Sequence, residues 1–197
     1  MLETGFHAVP PGHLATVVTY LEMRQALTRP ERAGGFTLRR VERPGVAWYR
    51  DLFRRVGAED WLWFSRLVIP EAELEAVLHD PLVEVWVLEA EGEEAGLLEL
   101  DFRENGACEL AFFGLLRGMI GNGAGRWLMN RAIEKAFRTG VERFHLHTCT
   151  MDSPQALGFY RRSGFTPLRQ EVEVLPDPRV DGILPEEAAA QIPIYRG

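Results

Sequence analysis

The chain of 197 residues is 46% hydrophobic and 26% charged, the proportions of a globular protein long enough for one well-buried core. Its formal net charge of −7, from 22 basic and 29 acidic residues, argues against nucleic acid as the main partner, because phosphate backbones select a basic face. The opening MLETGFHAVPPGHLATVVTYLEM has no basic stretch followed by an apolar core, and no apolar run approaches the ~20 residues of a membrane span. Two cysteines, Cys108 and Cys149, make no disulfide framework. A cytoplasmic enzyme or binding module, with no membrane partner, is expected.

In chain order, ATVVTYLEM (Ala15 to Met23) predicts one strand within an N-terminal extension ending at Gly34-Gly35. FTLRRVERP (Phe36 to Pro44) reads as a second strand. Trp48, Leu52, Phe53 and Val56 are spaced as on an amphipathic helix. After Pro70, EAELEAVLHD reads as a short helix, with acidic residues in the turn where they complement the helix dipole. VEVWVLEAEG (Val83 to Gly92) and GLLELDFREN (Gly96 to Asn105) follow as strands. Asn105-Gly106 is a two-residue hairpin turn, because both residues tolerate positive φ, and ACELAFFGLL is the return strand. A helix is predicted over Arg126 to Thr139, with Leu128, Ala132, Ile133, Ala136 and Phe137 on one face and Gly140 as its stop. ERFHLHTCT (Glu142 to Thr150) is a strand. SPQALGFYRRSG is a helix with Ser153 as N-cap, Pro154 at the first helical position and Gly164 at the end. FTPLRQEVEVL (Phe165 to Leu175) closes the sheet, and a Pro-rich tail wraps the surface. Antiparallel strands followed by strand-helix-strand-helix-strand make a mixed α/β domain.

The stretch GMIGNGAGRWLMN (Gly118 to Asn130) concentrates glycines directly before a helix. A dinucleotide fingerprint needs a third glycine where Arg126 stands, and a nucleoside-triphosphate loop needs a lysine that the stretch lacks. A methyl-donor loop sits in an early strand-helix unit, whereas a three-strand meander precedes this one. The remaining reading is a helix N-terminus whose bare backbone N–H groups hold a pyrophosphate. A tight strand-to-helix turn alone needs only one or two glycines.

GNGAGRWL resembles the acyl-CoA pyrophosphate motif of the GNAT superfamily of N-acetyltransferases, [RQ]xxGxG followed by leucine. Gly123 and Gly125 fill the small positions, Leu128 the apolar one, and Ile120 stands where the family has Arg or Gln. SPQALGFYRRSGF is similar to the family's second motif, a helix carrying a tyrosine, here Tyr160, and ending in Gly-Phe. CELAFFGLL resembles the strand before the loop. Thr148 to Leu157 resembles the HTCT-x-D-x-P-x-AL run of a bacterial subgroup. The resemblance covers roughly residues 36–170. It implies a mostly antiparallel central sheet flanked by helices, with residues 36–175 as the acetyltransferase domain, 1–35 an extension and 176–197 a tail packed on it. It also implies acetyl-CoA as co-substrate, no metal, and a small-molecule or protein amine as acceptor. Gly121, Asn122, Gly123, Ala124, Gly125 and Arg126 would cradle the pyrophosphate, and Phe113 and Leu115 would run along the pantetheine arm.

Acetyl transfer to an amine needs the thioester held beside the nitrogen, a base for the ammonium proton, an N–H donor for the oxyanion and a proton for the thiolate. Tyr160 is the acid candidate: a tyrosine of pKa about 10 stays protonated at neutral pH and can donate to a thiolate of pKa about 8.5. Glu109 is the first base candidate, a carboxylate in an apolar strand, where it needs a reason. Alternation places it on one face with Ala111, Phe113 and Leu115. Glu99 is the second; the two-residue turn turns it away from Glu109, and a bulge or longer turn would bring them together. His145, His147 and Cys149 share a strand face, but one strand rarely supplies three ligands to one metal ion. Arg117, Arg126 and Arg162 are candidate partners for CoA phosphates, and Trp61, Trp63 and Phe64 are core residues first and acceptor walls second. No cysteine occupies a nucleophile position, which favours direct transfer. A non-catalytic acyl-CoA-binding or sensor module is the alternative, and pairing of the N-terminal strand between subunits would give a homodimer.

Overall fold

The computed structural model describes residues 2–31, 34–138 and 140–197. Parts of the predicted extension (1, 32 and 33) and the predicted helix end at Thr139 therefore lie outside the described residues. The strands are β1 (His13–Met23), β2 (Phe36–Val41), β3 (Val83–Ala90), β4 (Glu93–Asp101), β5 (Ala107–Leu115), β6 (Arg143–Cys149) and β7 (Thr166–Pro176). The helices are α1 (Val46–Phe53), α2 (Glu59–Trp61), α3 (Ser65–Val68), α4 (Glu71–Leu78), α5 (Ala124–Ala136) and α6 (Ala156–Arg162); a wide π turn, Arg54–Ala58, joins α1 to α2. All seven strands form one sheet in the order β2-β3-β4-β5-β6-β1-β7.

Period-two burial makes the strands, and helices on both faces explain why the central ones read as nearly continuous apolar runs. On one face α5 buries Leu128, Met129, Ala132 and Ile133 against Leu98, Leu100, Leu110, Phe144 and Leu146. On the other, α1 and α4 bury Tyr49, Leu52, Phe53, Leu74 and Leu78 against Val85, Val87 and Leu97. The predicted N-terminal strand is not peripheral: β1 lies between β6 and β7 and pairs antiparallel with both.

β5 and β6 are the sheet's parallel pair, and they are joined only where Ala107, Cys108 and Glu109 face Arg143, Phe144 and His145. Beyond that, β5 continues along β4 to Leu115 while β6 continues along β1 to Cys149. The sheet opens between them.

Two local readings change. The β4–β5 connection is longer than a two-residue Asn105-Gly106 turn: β4 ends at Asp101, which lies opposite Glu109 where the shorter turn would put Phe102. A bulge follows, since Leu100 faces Leu110 but Glu99 faces Phe112. The extra residue reverses the alternation. Glu109 therefore shares its face with Glu99 and Phe112, and Phe113 and Leu115 join the α5 side, not the Glu109 side. Helix α6 begins at Ala156 rather than just after Ser153, whose carbonyl instead accepts the Ala156 N–H in a turn.

The tail is organised by a buried ion pair between Asp177 and Arg179. Arg179 also donates to the carbonyls of Ala188 and Ile192, and the Ala189 N–H reaches the Glu59 carbonyl at 2.7 Å. Leu184 and Ala188 then bury against Ala58, Leu62 and Leu14, which fixes the segment entering α2.

Leu128 is fully buried at the start of α5. Leu128→Ala is expected to lose about 3 kcal/mol of stability in urea unfolding, because a buried leucine removed from a tight core leaves a cavity.

Candidate active site

A cavity of about 920 Å³ fills the gap between β5 and β6 and extends onto both sheet faces. Its middle is the β5 edge from Leu110 to Leu115, whose backbone on that side has no β6 partner. One end is the loop before α5. The other lies under Trp61, Trp63 and Phe64, over Val18, His147 and Cys149 of the sheet.

At the α5 end, Gly121 and Gly123 have φ of 90° and 97°, left-handed conformations that favour glycine. A Cβ at either would meet nothing within 4 Å, so the loop is bare toward solvent. Gly123 is the N-cap of α5. The Asn122 Oδ1 accepts the Ala124 N–H at 3.0 Å. The first-turn N–H groups of Gly125 and Arg126 have no intrahelical partner. Unpaired amides, the positive end of a helix of 13 residues and an unobstructed approach suit a pyrophosphate. Gly121, Asn122, Gly123, Gly125 and Arg126 line the cavity, as do Phe113 and Leu115; Ala124 is buried beneath the loop. Ile120 lines it too and is half exposed, offering no hydrogen bond at that position. Arg117 is engaged elsewhere, paired with Asp60, whereas Arg126 and Arg162 line the cavity.

The two glutamates sit on one face but in different surroundings. Glu99 is 0% exposed, is not part of the cavity wall, and is held by the Tyr49 hydroxyl and the Arg66 guanidinium. Burial and the Glu99 charge raise the Tyr49 pKa, so Tyr49 is a permanent donor to this carboxylate. Burial pulls the Arg66 pKa down, but the interactions with Glu99 and Tyr49 together outweigh it and Arg66 stays ionised. Arg66 also lies 5.1 Å from the centre of the Phe112 ring, within an aromatic cluster with Phe53 and Trp63. Gly114 lets this cluster approach β5, since a Cβ there would come within 2.8 Å of Val56.

Glu109, by contrast, lines the cavity with its side chain 36% exposed, 3.7 Å from the Nδ1 of His147. His145 faces Glu104 at 3.4 Å; burial and then the Arg143 charge lower its pKa, so it is neutral at neutral pH. Among the described residues no group of His, Cys, Asp and Glu is arranged to hold a metal ion.

Tyr160 lies on the opposite face, edge-on to Phe113, Phe159 and Phe165, and lines the same cavity. Its hydroxyl has no hydrogen-bond partner among the described residues. Burial, reinforced by the Asp152 charge, pushes its pKa well up. Asp152 is a residue the sequence reading left without a role. Its carboxylate takes the Trp63 Nε1 at 3.0 Å, the Thr148 hydroxyl at 2.6 Å and the Cys149 N–H at 3.0 Å, tying the aromatic wall to the end of β6. The HTCT-x-D spacing carried that signal. Burial and then Asp152 also raise the Cys149 pKa, and burial raises that of Cys108, so both are thiols at neutral pH.

Residues 45–165 match the model of the acetyltransferase (GNAT) family, which is more than half of the chain, and the chain belongs to this family. β1, β2, β7 and the tail lie outside the matched span. The fold is similar to that of a GCN5-related N-acetyltransferase from Sphaerobacter thermophilus, at 17% identity and a TM-score of 0.61 over 83% of this chain and 53% of that one. A GCN5-related N-acetyltransferase from Kribbella flavida is similar at 20% identity and a TM-score of 0.55, over 85% of this chain and 60% of that one. The chain thus spans less than two thirds of the length of either. An aminoglycoside acetyltransferase from an uncultured soil metagenomic sample, solved with sisomicin, is similar at 16% identity and a TM-score of 0.50, over 66% of this chain and 87% of that one. No curated protein matches the sequence significantly.

Glu99 is fully buried and its partner Arg66 is part-buried on the cavity wall, so removing Arg66 leaves a buried carboxylate uncompensated. Arg66→Met is expected to cost about 3 kcal/mol in urea unfolding, whereas a pair that merely decorated the surface would cost under about 1 kcal/mol.

Proposed function

We propose that this chain transfers an acetyl group from acetyl-CoA directly to a primary amine, with Glu109 as base and Tyr160 as acid. The observation that carries the reading is their placement. Glu109 on β5 and Tyr160 on α6 line one cavity from opposite sides of the sheet, and the β5–β6 gap joins the two sides. An amine approaching from the Glu109 side and a thiolate departing on the Tyr160 side would each meet the group they need.

Bound acetyl-CoA supplies an activated acetyl group, whose thioester is exchanged for an amide. The glycine loop and the N-terminus of α5 hold its pyrophosphate, and Phe113 and Leu115 flank the arm. Backbone N–H groups on the unpaired β5 edge are available to the acetyl oxygen. Glu109 accepts the proton that the ammonium must lose before its nitrogen can attack. Tyr160, kept protonated by its burial, holds a proton for the departing sulfur. Glu99 supports the site through Arg66 and takes no proton from substrate. Protonated thiols at both cysteines leave no nucleophile for a covalent acetyl-enzyme, which favours direct attack. The carboxylates of Glu109, Asp152 and Glu173 line the cavity, which favours a cationic acceptor; the similar fold solved with an aminoglycoside supports the same class.

Acetyl-CoA-dependent thiol release over a panel of amines tests this. Tyr160→Phe and Glu109→Gln are each expected to lower kcat about 10²-fold, the usual contribution of a positioned acid or base, with acetyl-CoA affinity retained. Because burial and Asp152 raise the Tyr160 pKa, kcat should show no alkaline decline below about pH 10, the ordinary tyrosine value. Acetyl-CoA binding with no amine turned over would leave the binding-module reading in its place.

A further inference from the structure

We infer that the N-terminal segment before β2 supplies a binding subsite for the 3′-phosphate of CoA, with Arg29 as its anion-binding side chain. The inference rests on the acyl-CoA reading of the glycine loop. It concerns residues outside the span that matches the family model, which begins at residue 45.

The segment is built into α5. Asn130, only 4% exposed, accepts the Arg29 N–H at 3.1 Å and donates to the Arg29 carbonyl at 2.7 Å. One side chain thus fixes both backbone groups of one residue. A turn earlier on the helix, Arg126 donates to the Pro30 carbonyl at 3.2 Å. The neighbouring carboxylate, Glu31, is paired with Arg131. Arg29, half-buried, lines the same cavity as the glycine loop. Arg126, bound to the Pro30 carbonyl, and Arg162 line the same cavity. None of these three arginines has a carboxylate partner among the described residues. Three guanidiniums without carboxylate partners on the wall of one cavity leave positive charge there, which suits an anionic ligand.

A pyrophosphate held at the helix N-terminus takes the loop amides. A phosphomonoester on the same ligand would lie beyond it, where a guanidinium can hold it in a two-pronged charge-assisted contact. The 3′-phosphate of CoA is such a group, and dephospho-CoA lacks it. Asn130 is then a positioning residue: it holds the backbone from which Arg29 reaches the ligand.

The test is calorimetric titration of the full chain with CoA and with dephospho-CoA, which requires no turnover. The wild type is expected to bind CoA at least about tenfold more tightly, the usual gain from a hydrogen bond to a charged group. Arg29→Ala should bring that ratio toward one by weakening CoA, with Arg29→Lys intermediate. Asn130→Ala should lower the ratio while the guanidinium remains. A wild-type ratio near one, or a ratio that Arg29→Ala leaves unchanged, overturns the subsite and leaves the glycine loop's role intact. Failure of both ligands to bind overturns the subsite together with the acyl-CoA reading.

Discussion

The site depends on two parallel strands that part company. Parallel pairing between β5 and β6 holds only near their starts, and each strand then follows its antiparallel neighbour. A buried strand edge without a partner is costly unless something satisfies its amides and carbonyls. Here the edge opens onto a cavity instead of a core. The same separation makes the unpaired backbone available to a ligand and joins the two faces of the sheet. Chemistry that needs a base on one side and an acid on the other becomes possible only because the sheet is interrupted between them.

The bulge on β5 decides what each face carries. Without the bulge at Ala111, the regular alternation of β5 would put Glu109 on one face with Phe113 and Leu115. With it, one strand sends a carboxylate to the α1 side and aromatic and aliphatic side chains to the α5 side. The cluster of Arg66, Glu99 and Tyr49 then braces the α1 side. A buried charge pair of this kind stabilises little by itself, but it fixes the position of every group it touches. Arg66 spans from Glu99 to the Phe112 ring, so the aromatic wall and the strand behind it are held as one unit.

Local chemistry was legible in the sequence wherever it depended on consecutive residues. The glycines of Gly121 to Gly125 adopt the bare turn that their spacing implies, and the Tyr160 helix delivers its hydroxyl to the cavity. What depended on pairing was not legible. The longer turn after Asp101 and the bulge at Ala111 are properties of two strands, and together they reversed the face on which Glu109 lies, while Phe113 stays opposite Leu98 and Leu115 opposite Gly96. The position of β1 between β6 and β7 is set by strand order, which no single segment encodes. Asp152 carried a signal in its motif, yet its partners Trp63 and Thr148 come from separate elements. Arg29 sat in a polar stretch without periodicity, and only Asn130, far along the chain, gives it a fixed place.

Burial has opposite chemical consequences for two neighbouring side chains of the cavity. It raises the pKa of Cys149 and of Tyr160 alike, and the Asp152 charge adds to both. For the cysteine, the raised value removes the thiolate and with it the nucleophile. For the tyrosine, it preserves the proton that the proposed acid must deliver. A more open or more positively charged cavity would reverse both effects, exposing a reactive thiolate and weakening the case for the phenol as proton donor. In the proposed reaction, burial and the fixed carboxylate of Asp152 would thus favour direct attack with proton return from Tyr160 over a cysteine-bound intermediate, without any residue dedicated to suppressing the alternative.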